Sequence, residues 1–279
     1  MKVVVTGGSG YLGVHVRRFF AADDFSRRSG FDLLSPSDLN ELRSYDLVVH
    51  LAAHLDKDPK AADLCFRTNA DGTANVIKHM KSGSALIFAS TKDVYGANAN
   101  FYPEVPESCQ TDYVGQGALE WSKLIGEQYI DYYAPRQAVR ACVFRLSTVY
   151  ARSSEGNEYG FVTHYVESIK HGWPIRFAAK GTPVRDVLHV DDFSRACEAF
   201  VKSGRLNGLY NLGGGRENST SLRSLADRIA EMIELPVFAE DYQQEPPVPF
   251  NYVSDLSRIK TELNWHPQIG IEEGLRSLL

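Results

Sequence analysis

An apolar strand that runs into a glycine-rich turn places the strongest constraint on this fold. Residues 3–13 read VVVTGGSGYLG, and the amphipathic stretch HVRRFFA follows shortly after. The spacing G-x-G-x-x-G begins at Gly8, and Gly7, Gly10 and Gly13 also meet the looser spacing G-x-x-G-x-x-G. Glycine lets a pyrophosphate approach backbone N–H groups, and a helix N-terminus attracts an anion. This order of strand, turn and helix therefore predicts a dinucleotide site.

The composition is that of an ordinary globular chain and excludes several classes of protein. The 279 residues are 43% hydrophobic and 23% charged, which permits one large domain or two lobes. No run of about 18 apolar residues and no signal peptide are visible, so we expect a cytoplasmic protein without a membrane span. The net charge of −5 does not indicate the excess of positive charge that is typical of nucleic-acid-binding proteins. The cysteines lack metal-ligand spacing, so we expect neither a metal site nor disulfides: Cys65, Cys109, Cys142 and Cys197.

Short apolar runs alternate with helical patterns along the first half of the chain. The runs are VVVT from Val3, DLVVHLAA from Asp46, SALIFAS from Ser84 and AVRACVFRL from Ala138. Their separations fit crossover helices, so the pattern predicts an α/β fold with a doubly wound parallel sheet of Rossmann type. The second strand is ambiguous, because either residues 24–28 or residues 31–34 could supply it.

Prolines and glycines become frequent after residue 151, where the alternation loosens. We therefore expect a dinucleotide-binding domain over residues 1–150 and a smaller, mainly substrate-binding C-terminal lobe over residues 151–279, with some segments returning to the sheet. A helix is predicted over residues 221–234. Open α/β folds bind ligands at the carboxyl ends of their strands, so the lobe should cover that edge.

Eight short strings occur along the chain in a recognisable order. They are TGGSGYLG at Thr6, HLAA at His50, NADGTANV at Asn69, FASTKDVYG at Phe88, WSKLIGEQY at Trp121, RDVLHVDD at Arg185, YNLGGG at Tyr210 and LNWHPQIGIEEGL at Leu263. Together they resemble the extended short-chain dehydrogenase/reductase family, in particular its NAD-dependent epimerase/dehydratase group, which acts mostly on nucleotide sugars. The resemblance covers essentially the whole chain.

This resemblance implies that a Ser or Thr, a Tyr, and a Lys four residues after the Tyr share the redox chemistry. Thr91 matches the residue that hydrogen-bonds the reacting oxygen, and Lys123 matches the lysine that lowers the tyrosine pKa and binds the nicotinamide ribose. Leu119 stands at the tyrosine position and has no proton to give. The proton could instead come from Lys92, from a water held by Thr91, or from Tyr113, which otherwise reads as a surface loop residue.

Lys92 and Asp93 occupy positions at which dehydratases of the family carry an acidic pair. Only Asp93 keeps the acidic character, which argues against dehydration by the usual route. Lys92 is either a functional cation or a solvated lysine at the end of a strand.

The adenosine half of the cofactor site gives a mixed prediction. Asp32 could accept the ribose hydroxyls of NAD or contact the adenine, whereas Arg27 and Arg28 could contact the 2′-phosphate of NADP. We expect NAD or NADP and favour NADP. The other predicted cofactor contacts lie in the glycine turn, the first helical turn, the HLAA string and two later strings: Gly7, Gly10, Tyr11, Leu12, Gly13, Leu51, Ala52, Ala53, Asn69 and Lys123.

On the substrate side, the resemblance implies that Arg185 pairs with a nucleotide diphosphate. Thr148 replaces an asparagine that contacts substrate in the family, and it is retained as a candidate contact. Asp191 and Asp192 should start and cap the following helix, and His189 reads as a structural turn histidine rather than a base.

The leading hypothesis is an NAD(P)-dependent oxidoreductase or epimerase that acts on a nucleotide-activated sugar. One alternative is a reductase or isomerase of a non-sugar carbonyl. The other is a dinucleotide-binding sensor or scaffold without turnover, because Leu119 removes the usual acid. The resemblance also implies a homodimer through a bundle that includes the helix over residues 121–133.

Overall fold

Strands and helices alternate along the chain, as the apolar pattern predicts. The computed structural model describes residues 1–153, 160–241 and 247–279. In these ranges the strands are β1 (Val3–Thr6), β2 (Asp23–Phe25), β3 (Leu47–His50), β4 (Ala85–Thr91), β5 (Arg140–Leu146), β6 (Thr148–Tyr150), β7 (Ile175–Phe177), β8 (Val184–His189), β9 (Asn207–Leu212), β10 (Ser219–Ser221) and β11 (Ala239–Asp241). The α-helices are α1 (Gly13–Phe20), α2 (Pro36–Leu39), α3 (Ala62–Cys65), α4 (Gly72–His79), α5 (Ala118–Arg136), α6 (Phe161–His171), α7 (Val190–Ser203), α8 (Leu222–Ile233), α9 (Ser257–Leu263) and α10 (Ile271–Arg276).

Six parallel strands form the central sheet, in the order β2-β1-β3-β4-β5-β9. Every residue of β1 and β3 is buried, as expected for a sheet that is covered on both faces. The chain moves outward from β1 to β2 and then returns to the other side of β1, so the order reverses beside the glycine turn. The predicted doubly wound sheet of Rossmann type is confirmed.

The second strand of the sheet is short. β2 pairs with β1 up to Phe25, which lies level with Thr6, and Phe25 O accepts the N–H of Gly7 at 3.0 Å. The alternative over residues 31–34 is wrong, because the ring of Phe31 stacks on that of Phe25 at 4.7 Å and covers the sheet instead of extending it.

Alternate residues of β1 enter the cores on opposite faces of the sheet. Val3 and Val5 belong to a cluster that also contains Phe193 of α7. Val4 belongs to the cluster that contains Ile130 of α5. The two faces of the sheet therefore bury separate cores, and α5 packs against the face to which Val4 points.

The second half of the chain builds smaller sheets beside the carboxyl ends of the main strands. β8 pairs antiparallel with β10 and parallel with β6, and β7 pairs with β11. Helices α6, α8 and α10 share one hydrophobic cluster over them. β9 instead closes the main sheet next to β5. The helix predicted over residues 221–234 is confirmed as α8, whose N-cap is Ser221.

The N-terminus of α7 differs from the prediction. The cap is His189, whose Nδ1 accepts the N–H of Asp191 at 3.3 Å. Asp192 lies within the first turn, and its buried carboxylate accepts two backbone N–H groups of the segment after α9. Capping by the two aspartates is therefore wrong, because Asp192 is engaged by a distant part of the chain.

None of the helices in the described ranges has the length and apolar character of a membrane span. The four cysteines are buried and free. Within the same part of the chain, no group of three metal-ligating side chains is found.

Candidate active site

The glycine turn between β1 and α1 leaves little room for larger residues. Gly7 has a φ of +68°, and a Cβ there would lie 2.9 Å from Ala52 Cα. A Cβ on Gly13 would lie 2.2 Å from Gly7 O, whereas a Cβ on Gly10 would meet only that oxygen, at 3.1 Å. Because the first N–H groups of α1 have no partner within the helix, this cradle fits the pyrophosphate of a dinucleotide.

A cavity of about 980 Å³ runs from this turn along the carboxyl ends of the central strands. Most of the predicted site residues line it: Gly7, Gly10, Tyr11, Leu12, Gly13, Arg27, Arg28, Asp32, Leu51, Ala52, Ala53, Thr91, Asp93 and Lys123. The others lie outside its lining: Asn69, Lys92, Tyr113, Thr148 and Arg185. One cavity thus joins the predicted dinucleotide turn to Thr91, Asp93 and Lys123.

The adenosine end of the cavity carries two guanidinium groups and a serine. Ser26 follows β2, and its hydroxyl lies 2.8 Å from that of Ser9 in the glycine turn. Arg28 Nη1 donates to the carbonyl of Ser9 at 3.3 Å. Arg27 Nε lies 3.8 Å from Asp32 Oδ2, and both side chains are largely exposed. Among the residues that line this end, Asp32 is the carboxylate beside the two arginines, while Asp24 accepts a hydrogen bond from Ser26 Oγ at 3.1 Å and is paired with Arg17.

Three of the predicted reacting residues, Thr91, Asp93 and Lys123, line the other end of the cavity. Lys123 Nζ donates to the carbonyl of Ala89 at 2.8 Å, and burial lowers the pKa of Lys123 to about 8. Leu119 lies one helical turn earlier on α5 and lines the same wall. Thr91 ends β4, and its Oγ1 accepts the N–H of Asp93 at 3.1 Å. The hydroxyl proton of Thr91 therefore remains available for donation.

Lys92 is buried beside this site. Its Nζ donates to Asp93 Oδ1 and lies 5.3 Å from the centroid of the Tyr252 ring, and 10% of its side chain is exposed. The alternative of a solvated lysine is wrong, because Tyr252 of the C-terminal half covers it. Burial opposes the ionisation of Asp93, but the ammonium groups of Lys92 and Lys57 prevail and lower the pKa of Asp93 to about 2.

Sequence reasoning missed several polar side chains that line the cavity, among them Lys57, His54 and Thr68. Lys57 Nζ lies 3.3 Å from Asp93 Oδ2 and 3.0 Å from Glu120 Oε1. His54 Nε2 and Thr68 Oγ1 are buried and have no hydrogen-bond partner in the described part of the chain. Buried polar atoms of this kind suit a polar ligand. No motif or spacing marks these residues.

Two of the predicted residues outside the cavity hold backbone segments near it. Asn69 Oδ1 accepts the N–H of His54 at 2.7 Å, and Asn69 Nδ2 donates to Ser122 Oγ at 2.9 Å. The guanidinium of Arg185 donates to the carbonyl of Pro249 at 3.0 Å and to that of the next residue at 2.7 Å. Both side chains thereby fix elements that border the site.

The remaining two side chains, Thr148 and Tyr113, lie outside the cavity lining. Thr148 begins β6, where it pairs with Val187 of β8. Tyr113 precedes α5, is 68% exposed, and stacks its ring against that of Trp121 at 6.4 Å. Neither side chain contributes to the cavity wall in this structure.

Known proteins share both the sequence pattern and the fold. The model of the NAD dependent epimerase/dehydratase family matches residues 3–213. The CDP-paratose 2-epimerase of Salmonella typhi is 25% identical and is matched over 100% of this chain and 98% of its own. A UDP-glucose 4-epimerase from Thermotoga maritima, solved with UDP-glucose, is 23% identical, with a TM-score of 0.84 over 100% of this chain and 97% of that one.

A second solved structure, RMD from Pseudomonas aeruginosa complexed with NADPH, is 21% identical. Its TM-score is 0.81, over 100% of this chain and 98% of that one. The family match spans the glycine turn, Thr91 and Lys123 as well as all six strands of the main sheet. This chain therefore belongs to the NAD-dependent epimerase/dehydratase family of enzymes, within the extended short-chain dehydrogenases/reductases.

Proposed function

We propose that this protein is an NAD(P)-dependent oxidoreductase or epimerase of a nucleotide-activated sugar that works without the usual tyrosine. The observation that carries this proposal is the single cavity that joins the glycine turn to Thr91 and Lys123. A bound nicotinamide would supply hydride transfer to or from a carbinol carbon. The protein would hold the reacting oxygen at Thr91, and Leu119 would border that position.

The glycine turn and the residues around it would bind the dinucleotide. Gly7, Gly10 and Gly13 would admit the pyrophosphate, with the amides of Tyr11 and Leu12 facing it. The positive charge of Arg27 and Arg28 beside β2 favours NADP over NAD, as does Ser26 in place of a carboxylate. Asp32 would contact the adenine, while Leu51, Ala52 and Ala53 would border the ribose. Asn69 lies outside the cavity lining and would contribute by holding the backbone of His54, which lines the cavity.

The affinities for NADPH and NADH test this choice of cofactor. NADPH should bind more tightly at low ionic strength, and the margin should shrink as salt screens the two arginines. The double variant Arg27→Ala/Arg28→Ala should lose the preference, whereas Arg43→Ala, at another exposed arginine, should keep it. Equal affinities in the wild-type protein would show that these cations do not read a 2′-phosphate.

The substrate would lie between the reacting end of the cavity and the C-terminal half. We propose residues 1–150 as the main dinucleotide domain and residues 151–279 as the main substrate lobe. Arg185 and Thr148 stay predicted substrate contacts, although Arg185 must release a carbonyl to reach a diphosphate. The UDP-glucose bound by the Thermotoga maritima relative supports a nucleotide sugar as substrate class. A cytoplasmic location belongs to the same proposal.

A dinucleotide-binding sensor without turnover is the second candidate, because Leu119 lines the cavity and the resemblance assigns the tyrosine position to it. A panel of UDP-, dTDP-, GDP- and CDP-sugars separates the two functions when thermal stability and turnover are both measured with NADPH and NADH. An enzyme should show stabilisation by one sugar class together with a change of nicotinamide absorbance or an epimerised product. Stabilisation without any product would establish the sensor.

A further inference from the structure

The ammonium of Lys123 is buried at the cavity wall without a direct counter-ion. The residue is 4% exposed, its Nζ lies 4.8 Å from the centroid of the Phe88 ring, and the carbonyl of Ala89 accepts one of its three N–H groups. Among the described residues, no carboxylate forms an ion pair with it. Burial without a counter-ion destabilises the charged form of an amine, and the face of the Phe88 ring and one carbonyl acceptor offset only part of that cost.

Charged groups behind Lys123 do little to restore that charge. Glu127 lies one turn later on α5 and attracts the ammonium, but its Oε2 is paired with Arg145 Nη2 of β5 at 2.6 Å. His50 of β3 is fully buried, and its burial, together with the charge of Lys123, lowers its pKa to about 3. This histidine is therefore neutral near pH 7 and adds no charge.

The charged groups between the end of β4 and the start of α5 form ion pairs with one another. Asp93, after β4, is paired with Lys92 and Lys57, and Lys57 also meets Glu120 at the start of α5. Burial consequently prevails at Lys123 and lowers its pKa to about 8, so the amine exchanges a proton within a working pH range. Lysines tuned in this way by burial serve elsewhere as acids and bases.

Leu119 presents hydrocarbon to the cavity one turn before this amine, at the position that the resemblance assigns to the family's tyrosine. We propose that Lys123 itself takes and returns the proton of the reacting hydroxyl, in place of the missing tyrosine. This inference rests on the proposed function, which supplies the carbinol substrate and the nicotinamide. Lys123 would then be a catalytic acid and base, and not only a partner of the ribose.

The proton and hydride balance in this step. During oxidation, the neutral amine of Lys123 accepts the O–H proton, the C=O bond forms, and the C–H hydrogen leaves as hydride to the bound nicotinamide, which is the oxidant. During reduction, the ammonium of Lys123 returns its proton to the oxygen as hydride reaches the carbon. In both directions Thr91 donates its hydroxyl hydrogen bond to that oxygen.

A rescue experiment separates this role from ribose binding. Arginine keeps a positive charge and N–H donors but does not release a proton at working pH. Lys123→Arg should therefore lower turnover by at least about 100-fold, the scale of general acid–base catalysis, and keep cofactor binding in a direct titration. The double variant Leu119→Tyr/Lys123→Arg should recover activity, because a phenol again offers the proton. Lys202→Arg, at an exposed lysine of α7, is the matched control.

A titration of lysines labelled with 13C at Cε, followed by NMR, tests the same role without turnover. The signal lost in Lys123→Arg should titrate near pH 8 in the cofactor-bound protein, and oxidation by the wild-type enzyme should speed up as pH rises through the same range. A signal that titrates near the ordinary lysine pKa of about 10.4 would overturn the proposal.

Activity outcomes distinguish this proposal from the proposed function. Full turnover by Lys123→Arg would overturn only the role of Lys123. Turnover by Leu119→Tyr with none by the wild-type protein would likewise overturn it, because the lysine would then fail where a tyrosine succeeds. An absence of turnover in both proteins with every sugar class would overturn the proposed function and this inference with it.

Discussion

Thr91 offers a hydroxyl donor to the cavity where Leu119 offers none. Its oxygen also caps the turn after β4 by accepting the N–H of Asp93. One side chain therefore serves both the local backbone and the proposed reacting oxygen. The effect of a substitution at Thr91 on folding stability must therefore be measured separately from its effect on activity.

Thr91→Ala should reduce kcat by more than about tenfold, the scale of one lost hydrogen bond in a transition state. Losing the cap should also cost about 1 kcal/mol of folding stability. Thr91→Ser keeps the hydroxyl and should retain most of the activity. Steady-state kinetics together with thermal unfolding of both variants check this. A fully active Thr91→Ala protein would mean that the reacting oxygen is held by another group.

Gly10→Val should abolish dinucleotide binding without unfolding the sheet. A Cβ on Gly10 meets only Gly7 O, at 3.1 Å, so the fold can adjust while the added methyl groups occupy the pyrophosphate cradle. Fluorescence titration with NADPH, alongside circular dichroism, measures the two effects. Gly270→Val is the control, because a Cβ there meets nothing within 4 Å. Unchanged affinity in folded Gly10→Val protein would contradict the assigned site.

Strand β3 is held to its neighbours by a buried histidine as well as by its backbone. His50 Nδ1 lies 2.6 Å from Thr6 Oγ1 of β1, and His50 Nε2 lies 3.0 Å from Thr73 Oγ1 of α4. The imidazole thus ties the strand beside the glycine turn to the helix behind the cavity. Its burial lowers its pKa to about 3.

This histidine should make folding stability depend on pH below about 6.5, its unfolded pKa. Between that value and about 3, the unfolded chain binds a proton at His50 that the folded protein does not. Stability should therefore fall as pH decreases, by roughly 2 kcal/mol between pH 7 and pH 5. Urea unfolding at both pH values measures this loss.

His50→Asn should remove most of that pH difference, since asparagine does not titrate. His171→Asn, at an exposed histidine of α6, should leave the difference unchanged. If the loss between pH 7 and pH 5 persists in His50→Asn, carboxylates or other histidines are responsible for it.

Sequence was most informative where the relevant contacts are local. The glycine turn, the apolar strands and the Thr91 and Lys123 strings are each defined within a few residues, and the cavity lining includes them. The second strand stayed ambiguous because three residues carry no periodic pattern. Lys57 and the buried state of Lys92 could not be predicted, because both depend on side chains that the fold brings from distant segments.

On the scale of the whole molecule, α5 serves the active site on one face and leaves aromatic surface on another. Tyr132 is 53% exposed, and the guanidinium of Arg136 lies 3.8 Å from the centroid of its ring. A second copy of α5 packed on this surface would bury it. That arrangement agrees with the homodimer that the resemblance implies.

Tyr132→Glu should convert a dimer to a monomer, because a buried unpaired carboxylate is costly at an interface. Light scattering after size exclusion would show the mass of two chains for the wild-type protein and of one for the variant. Trp173→Glu changes another exposed aromatic residue, just after α6, and should leave the mass at two chains. A wild-type monomer at all concentrations would contradict the prediction.

β9 lies next to β5 although it comes from beyond residue 151. A fragment that ended at residue 150 would leave residues 141–146 of β5 as an open sheet edge, with unpaired N–H and C=O groups along a hydrophobic strand. Such an edge invites pairing with other chains, so the fragment would aggregate instead of folding alone. The proposed dinucleotide domain and substrate lobe are thus not separable modules, and neither could be exchanged between relatives by cutting the chain at one point.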